Sequence, residues 1–135
     1  GMTVQIRVLA SLCLAALLAA GCGGVTDPSQ NTVEDKSGTI APGGVSAQSF
    51  SASKNGEFEI RITNLNNADA FLHMYYGPDA GGCTGSGGSL GDAYRQLNQA
   101  GFGGSIQKGN YCVYLRDDLL ALKSESPYTL RISHP

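Results

Sequence analysis

Glu57-Phe58-Glu59-Ile60-Arg61-Ile62-Thr63 places a large apolar side chain at every second position with charged side chains between them. A period of two belongs to a β-strand with one buried and one wet face, not to a helix. Tyr128-Thr129-Leu130-Arg131-Ile132-Ser133 repeats the pattern. Between these runs, residues 110–116 direct Tyr111, Val113 and Leu115 inward and Cys112, Tyr114 and Arg116 outward, and Gln48-Ser49-Phe50-Ser51-Ala52 is a weaker strand of the same kind. Glycine, proline, asparagine and aspartate separate the runs. Lys54-Asn55-Gly56 reads as a turn, because Asn-Gly tolerates positive φ. The pattern predicts an all-β domain over residues 38–135, an antiparallel β-sandwich of about seven or eight strands. One segment, residues 92–100, reads instead as a short helix with Asp92 as its N-cap and Gly101 just past its end, although an edge strand would also fit. The glycine-rich passage 81–91 is loop, and its glycines match no phosphate-cradling motif.

Ahead of the domain, Arg7 is followed by an apolar run from Val8 to Ala20 that closes in Leu17-Leu18-Ala19-Ala20-Gly21-Cys22. A basic residue, a short apolar stretch and small residues at a cut site are the anatomy of a signal peptide, and the run is too short to span a bilayer comfortably. Its close reads as a bacterial lipobox. Residues 1–21 are therefore expected to be a lipoprotein signal peptide, with Gly1 ahead of Met2 an expression scar, and Cys22 the lipidated first residue of the mature chain. Gly23 in place of an aspartate after Cys22 is similar to proteins sorted to the outer membrane. Residues 22–37 are polar and rich in Pro, Gly and Ser, and read as a flexible tether holding the domain roughly 20 Å from the membrane.

Cleavage before Cys22 removes 21 of the 135 residues and leaves 114, enough for one domain. The net charge is −2, and losing Arg7 makes it −3, with no basic run, which excludes nucleic acid as a natural partner. Of the four cysteines, Cys13 leaves with the signal and Cys22 carries lipid. Cys83 and Cys112 remain as an even pair in an oxidising compartment and are expected to form a disulfide. The competing reading, a metal site, lacks ligands, because zinc would need both His73 and His134 nearby.

Four pieces in order resemble the bacterial pre-peptidase C-terminal domain: Ser37-Gly38-Thr39-Ile40; residues 48–52 leading into residues 56–60; Lys108-Gly109-Asn110-Tyr111-Cys112-Val113-Tyr114-Leu115; and Pro127-Tyr128-Thr129-Leu130-Arg131-Ile132. The resemblance runs from Gly38 to Pro135. It implies a sandwich of jelly-roll character, no catalysis within the domain, and a role in attachment or binding. Relatives in collagen-degrading enzymes use calcium, but before the first strand only Glu34 and Asp35 could serve. The cysteine pair also departs from the general family pattern.

Catalytic arrangements of the Ser-His-Asp or Cys-His type need a base, and only His73 and His134 offer one. His134 sits next to the last residue, where chains fray. In Phe71-Leu72-His73-Met74-Tyr75-Tyr76, Leu72, Met74 and Tyr76 face the core, leaving Phe71, His73 and Tyr75 as an outer aromatic stripe. The stripe either contacts a ligand or lies under the loop of residues 77–91. A cupredoxin-type copper site is disfavoured because Met74 directly follows His73 and so points to the other face. No cofactor, metal or catalytic set is expected. The function read from the sequence is a non-enzymatic, lipid-anchored protein of the bacterial cell envelope, at the outer membrane. Its ligand-binding candidates are Phe71, His73, Tyr75, Tyr114 and Arg116, and its ligand is a carbohydrate or an envelope protein. The alternative is a structural or accessory subunit of an envelope complex with no small ligand. Asp117-Asp118 reads as a turn, and Leu119, Leu120 and Leu122 either cap the sandwich or form an exposed apolar knob.

Overall fold

The alternation of residues 57–63 continues through a ten-residue strand in which Phe58, Ile60 and Ile62 are buried and Glu57, Glu59 and Arg61 are exposed. A computed structural model describes residues 28–135. After a single 3-10 turn at Pro28–Gln30 come eight strands: β1 (Thr32–Ile40), β2 (Val45–Ala52), β3 (Gly56–Leu65), β4 (Leu72–Pro78), β5 (Gly91–Arg95), β6 (Phe102–Ile106), β7 (Gly109–Arg116) and β8 (Ser126–His134). Among the described residues there is no α-helix, and so none long and apolar enough to cross a membrane.

All pairings are antiparallel and fall into two four-stranded sheets, ordered β1-β8-β3-β6 and β2-β7-β4-β5. Every connection except β4–β5 crosses from one sheet to the other, giving the two interlocked Greek keys of a jelly roll. The inner faces meet in one core: Ile60, Ile62, Tyr128, Leu130 and Ile132 from the first sheet against Phe50, Leu72, Met74, Val113 and Leu115 from the second. A register shift between Ile62 and Asn64 resets the alternation and so turns Leu65 inward, three residues after Ile62.

Three sequence expectations are corrected. Residues 92–100 form no helix: residues 91–95 are edge strand β5, paired with β4 from Leu72↔Arg95 to Tyr76↔Gly91. The side chains of residues 93 and 97 face the sandwich interior, and burial against a sheet outweighs a weak capping signal. Residues 32–37, placed in the tether, belong to β1, which pairs with β8 along its whole length and starts the domain at Thr32 instead of Gly38. Backbone pairing compensates there for polar side chains, helped by the Arg131–Asp35 ion pair at 3.1 Å. Residues 54–56 do turn the chain between two strands, but from one sheet to the other and without the positive φ expected of Asn-Gly. β2 and β3 lie in different sheets, neither Asn55 nor Gly56 has positive φ, and Asn55 Oδ1 instead accepts the Lys108 N–H at 2.8 Å.

The leucines after β7 divide. Leu122 is buried against the core, whereas Leu119 and Leu120 are 58% and 74% exposed. Asp117, fully buried, organises this turn by accepting the N–H groups of Ala121 at 2.7 Å, Leu122 at 3.1 Å and, across the sandwich end, Gly43 at 3.1 Å. It holds Leu120 at φ +53°, a left-handed conformation unfavourable for leucine.

Candidate functional site

The outer face of the β2-β7-β4-β5 sheet carries two cross-strand rows set by register. One row is Val45, Arg116, His73 and Tyr94, and the next is Ala47, Tyr114, Tyr75 and Asp92. Directly opposed side chains on neighbouring strands lie within contact distance, so the register alone assembles an aromatic and ionic patch. The rings of His73 and Tyr94 stack at 4.8 Å and 15°, and those of Tyr75 and Tyr114 at 4.7 Å and 11°. The Arg116 guanidinium sits 5.7 Å from the centre of the Tyr75 ring.

Two carboxylates bracket His73. Its Nε2 lies 2.8 Å from Asp92 Oδ2 and its Nδ1 3.4 Å from Asp118 Oδ2, while the Tyr94 hydroxyl donates to that same Asp118 oxygen at 2.6 Å. That hydrogen bond, with partial desolvation and the two nearby negative charges, raises the Tyr94 pKa above its ordinary 10.0. Replacing Asp118 with asparagine is therefore expected to move one tyrosine's ionisation back toward 10, seen as a wild-type-minus-variant difference in absorbance during alkaline titration. Superimposable titrations would contradict the bond.

Tyr114 is placed differently from its sequence reading. It points to the outer face but is only 4% exposed, because the loop of residues 79–90 folds over it. The Gly85 N–H donates to the Tyr114 hydroxyl at 2.9 Å, and Cys83 in the same loop is bonded to Cys112 on β7, with Cα atoms 5.5 Å apart. The loop turns on Asp79, whose Oδ1 accepts the Gly82 and Cys83 N–H groups at 2.9 and 3.3 Å. Close approach explains one glycine of the loop and one of β4 beneath it: a Cβ on Gly87 would run into the Pro78 carbonyl, and one on Gly77 into that of Gly88. Tyr114 is thus almost wholly covered and chiefly supports the site. Of the other candidates, Phe71 stands one residue ahead of β4 and is 41% exposed, His73 and Tyr75 are half-buried, and Arg116 is exposed.

Sequence reasoning missed Asp92, Tyr94 and Asp118. The first two went unrecognised because the sequence left this segment open between a helix and an edge strand. As a strand, the segment shows Asp92 and Tyr94 at alternate outward positions, whereas nothing local marks Asp118 as a partner of His73. The second histidine lies elsewhere. His134, on β8 of the other sheet, is buried rather than frayed, with Nε2 2.6 Å from Glu34 Oε2 and its ring 5.9 Å from that of Phe50. Glu34 is thereby engaged, as Asp35 is with Arg131.

This two-sheet arrangement recurs in known proteins. Over 78% of this chain and 87% of the other, it is similar to the Yersinia pseudotuberculosis-derived mitogen, with a TM-score of 0.53 and 11% identity. Over 81% of this chain and 91% of the other, it is similar to Aeromonas hydrophila PliG, a periplasmic lysozyme inhibitor of g-type lysozyme, with a TM-score of 0.53 and 12% identity. At such identities the likeness establishes the fold alone. No family model matches the sequence, and no curated protein matches it.

Exposed apolar surface is concentrated beside the two rows. Of the seven large hydrophobic residues exposed among those described, Val45, Phe71, Tyr94, Leu119 and Leu120 all lie at the end of this sheet where Arg116, His73 and Tyr94 align. A gathering of that kind, rimmed by charge, is the usual mark of an interaction surface.

Proposed function

We propose that the protein is a non-enzymatic binding protein of the bacterial cell envelope, tethered by a lipidated Cys22, that engages a protein partner through the outer face of the β2-β7-β4-β5 sheet. Its sandwich is taken to be of the pre-peptidase C-terminal kind. The lipobox lies outside the described residues, and the anchor is proposed from the sequence alone.

The observation that carries the reading is the convergence of five exposed hydrophobic side chains on the row Val45, Arg116, His73 and Tyr94. Two features favour a protein over a glycan. Stacking on sugars needs free ring faces, and here the rings face one another: His73 against Tyr94, and Tyr75 against Tyr114 with the Arg116 guanidinium close to the ring. The fold is also that of PliG, which inhibits a lysozyme. Catalysis is disfavoured because both nitrogens of His73 face carboxylates, leaving neither directed at a nucleophile. The row also lies at the far end of β1 from Thr32, roughly 25 Å from where a tether would enter, so a membrane-anchored domain would present it outward.

The test is paired. The protein with Phe71→Ala/Tyr94→Ala and the wild type are compared for capture of proteins from envelope extract and for response on a glycan array. Loss of one stoichiometric protein partner in the variant, with no glycan response from either, is expected. Unchanged capture by the double variant would reject this face.

A further inference from the structure

Four arginines are described, and three are engaged. Arg61 pairs with Glu59 at 3.1 Å, Arg131 with Asp35 at 3.1 Å, and Arg95 donates to the carbonyls of Tyr94 and Ala100. Among the described residues the Arg116 side chain makes no ion pair and no hydrogen bond, and its one partner is the ring of Tyr75. A guanidinium is charged at any physiological pH and offers five N–H donors in a flat fork. Those of Arg116 are open to solvent.

The residue is also held in place from below. Arg116 and Tyr114 both contact the Tyr75 ring, and Tyr114 is in turn fixed by the Gly85 N–H and covered by the loop that Cys83 ties to Cys112. Between that loop and β2 lies a cleft of about 270 Å³, with Tyr75 and Tyr114 on its floor, Val45 and Ala47 on one side, Thr84 on the other, and Arg116 at its mouth. Pockets for small-molecule ligands run from about 300 to 1,000 Å³. This one is below that range and suits a single inserted side chain. Polar and apolar surface line it in about equal parts, Ser46 and Thr84 among the polar groups, and its one charged group is positive.

We infer that this cleft receives an acidic side chain of the protein partner, its carboxylate paired with the fork of Arg116 and its methylenes lying against Val45 and Ala47. The inference rests on the binding face proposed above and specifies the chemistry of its central contact. Contact with the Tyr75 ring restricts the guanidinium before the partner arrives, which lowers the ordering cost of a two-pronged contact. The disulfide then has a functional consequence, since it holds one wall of the receptor.

Backbone-amide chemical-shift titrations test it with three probes: a blocked tetrapeptide of glycine, phenylalanine, glutamate and glycine, its glutamine counterpart, and free 3-phenylpropionate. The glutamate peptide is expected to shift the amides of Val45, Thr84 and Gly85. Binding should be at least about tenfold weaker for the glutamine peptide and for Arg116→Gln, and only partly restored in Arg116→Lys, which keeps charge but not the fork. Equal binding of the two peptides, or an unaffected Arg116→Gln, overturns the inference. Tighter binding of 3-phenylpropionate than of the peptide would make the ligand a free acid and overturn the side-chain assignment. If Phe71→Ala/Tyr94→Ala loses the envelope partner while Arg116→Gln retains it, the face stands and this inference alone falls.

Discussion

Cys83→Ser is expected to lower the stability of the domain by about 3 to 4 kcal/mol and its melting temperature by roughly 10 to 20 °C. The bridge spans 29 residues, and closing a loop of that length in the unfolded chain corresponds to about 3.5 kcal/mol. Cys83 is partly exposed, so its replacement removes the cross-link with little change in packing. Cys112→Ala should cost more, because Cys112 is fully buried and its loss adds a void beneath the loop. Chemical denaturation of the two variants separates these contributions. A cost below about 1 kcal/mol for Cys83→Ser would mean that Asp79 and the Tyr114 hydroxyl hold the loop without the bridge.

Asp117→Ala is expected to destabilise by about 3 to 5 kcal/mol, since it leaves three backbone N–H groups around a buried position without their acceptor. The turn carrying Leu119 and Leu120 should loosen with it, and Leu120 is then free to leave its left-handed conformation. The wild-type dependence on pH has a definite sign. Burial alone would push the Asp117 pKa up, but the hydrogen bonds from Gly43, Ala121 and Leu122 outweigh it and hold the carboxyl below its ordinary 3.8. A depressed value in the folded state means the carboxylate's contribution is complete above about pH 4 and is lost as the pH falls through the folded value. Stability measured from pH 6 downward should therefore fall more steeply below pH 4 in wild type than in Asp117→Asn. Parallel curves would contradict this role.

The sheets were legible in the sequence because their cores are built from strict alternation: residues 57–63 and 128–133 permit only one buried face each. The pairing of Cys83 with Cys112 followed from compartment and count, and the outward set of Phe71, His73 and Tyr75 from the same alternation. Two elements were opaque. β1 is polar along most of its length, so apart from Ile40 it is held by its backbone bonds to β8, the Arg131–Asp35 ion pair and side-chain hydrogen bonds of Glu34 and Ser37, none of which leaves a periodic trace. β5 is five residues long and half-exposed, too short for alternation to outweigh a helix-like cap at Asp92. With this segment undecided between helix and edge strand, Asp92 and Tyr94 could not be placed beside His73, and the ionic half of the site stayed hidden. The cover over Tyr114 depends on where a glycine-rich loop folds, which local pattern does not encode.

The central claim is that one face of one sheet meets the partner. A photo-crosslinking phenylalanine analogue at Phe71, on that face, and at Arg61, on the exposed face of the opposite sheet, would be compared in living cells. One discrete protein adduct from position 71 and none from position 61 is the predicted result; adducts from position 61 with none from position 71 would contradict the account.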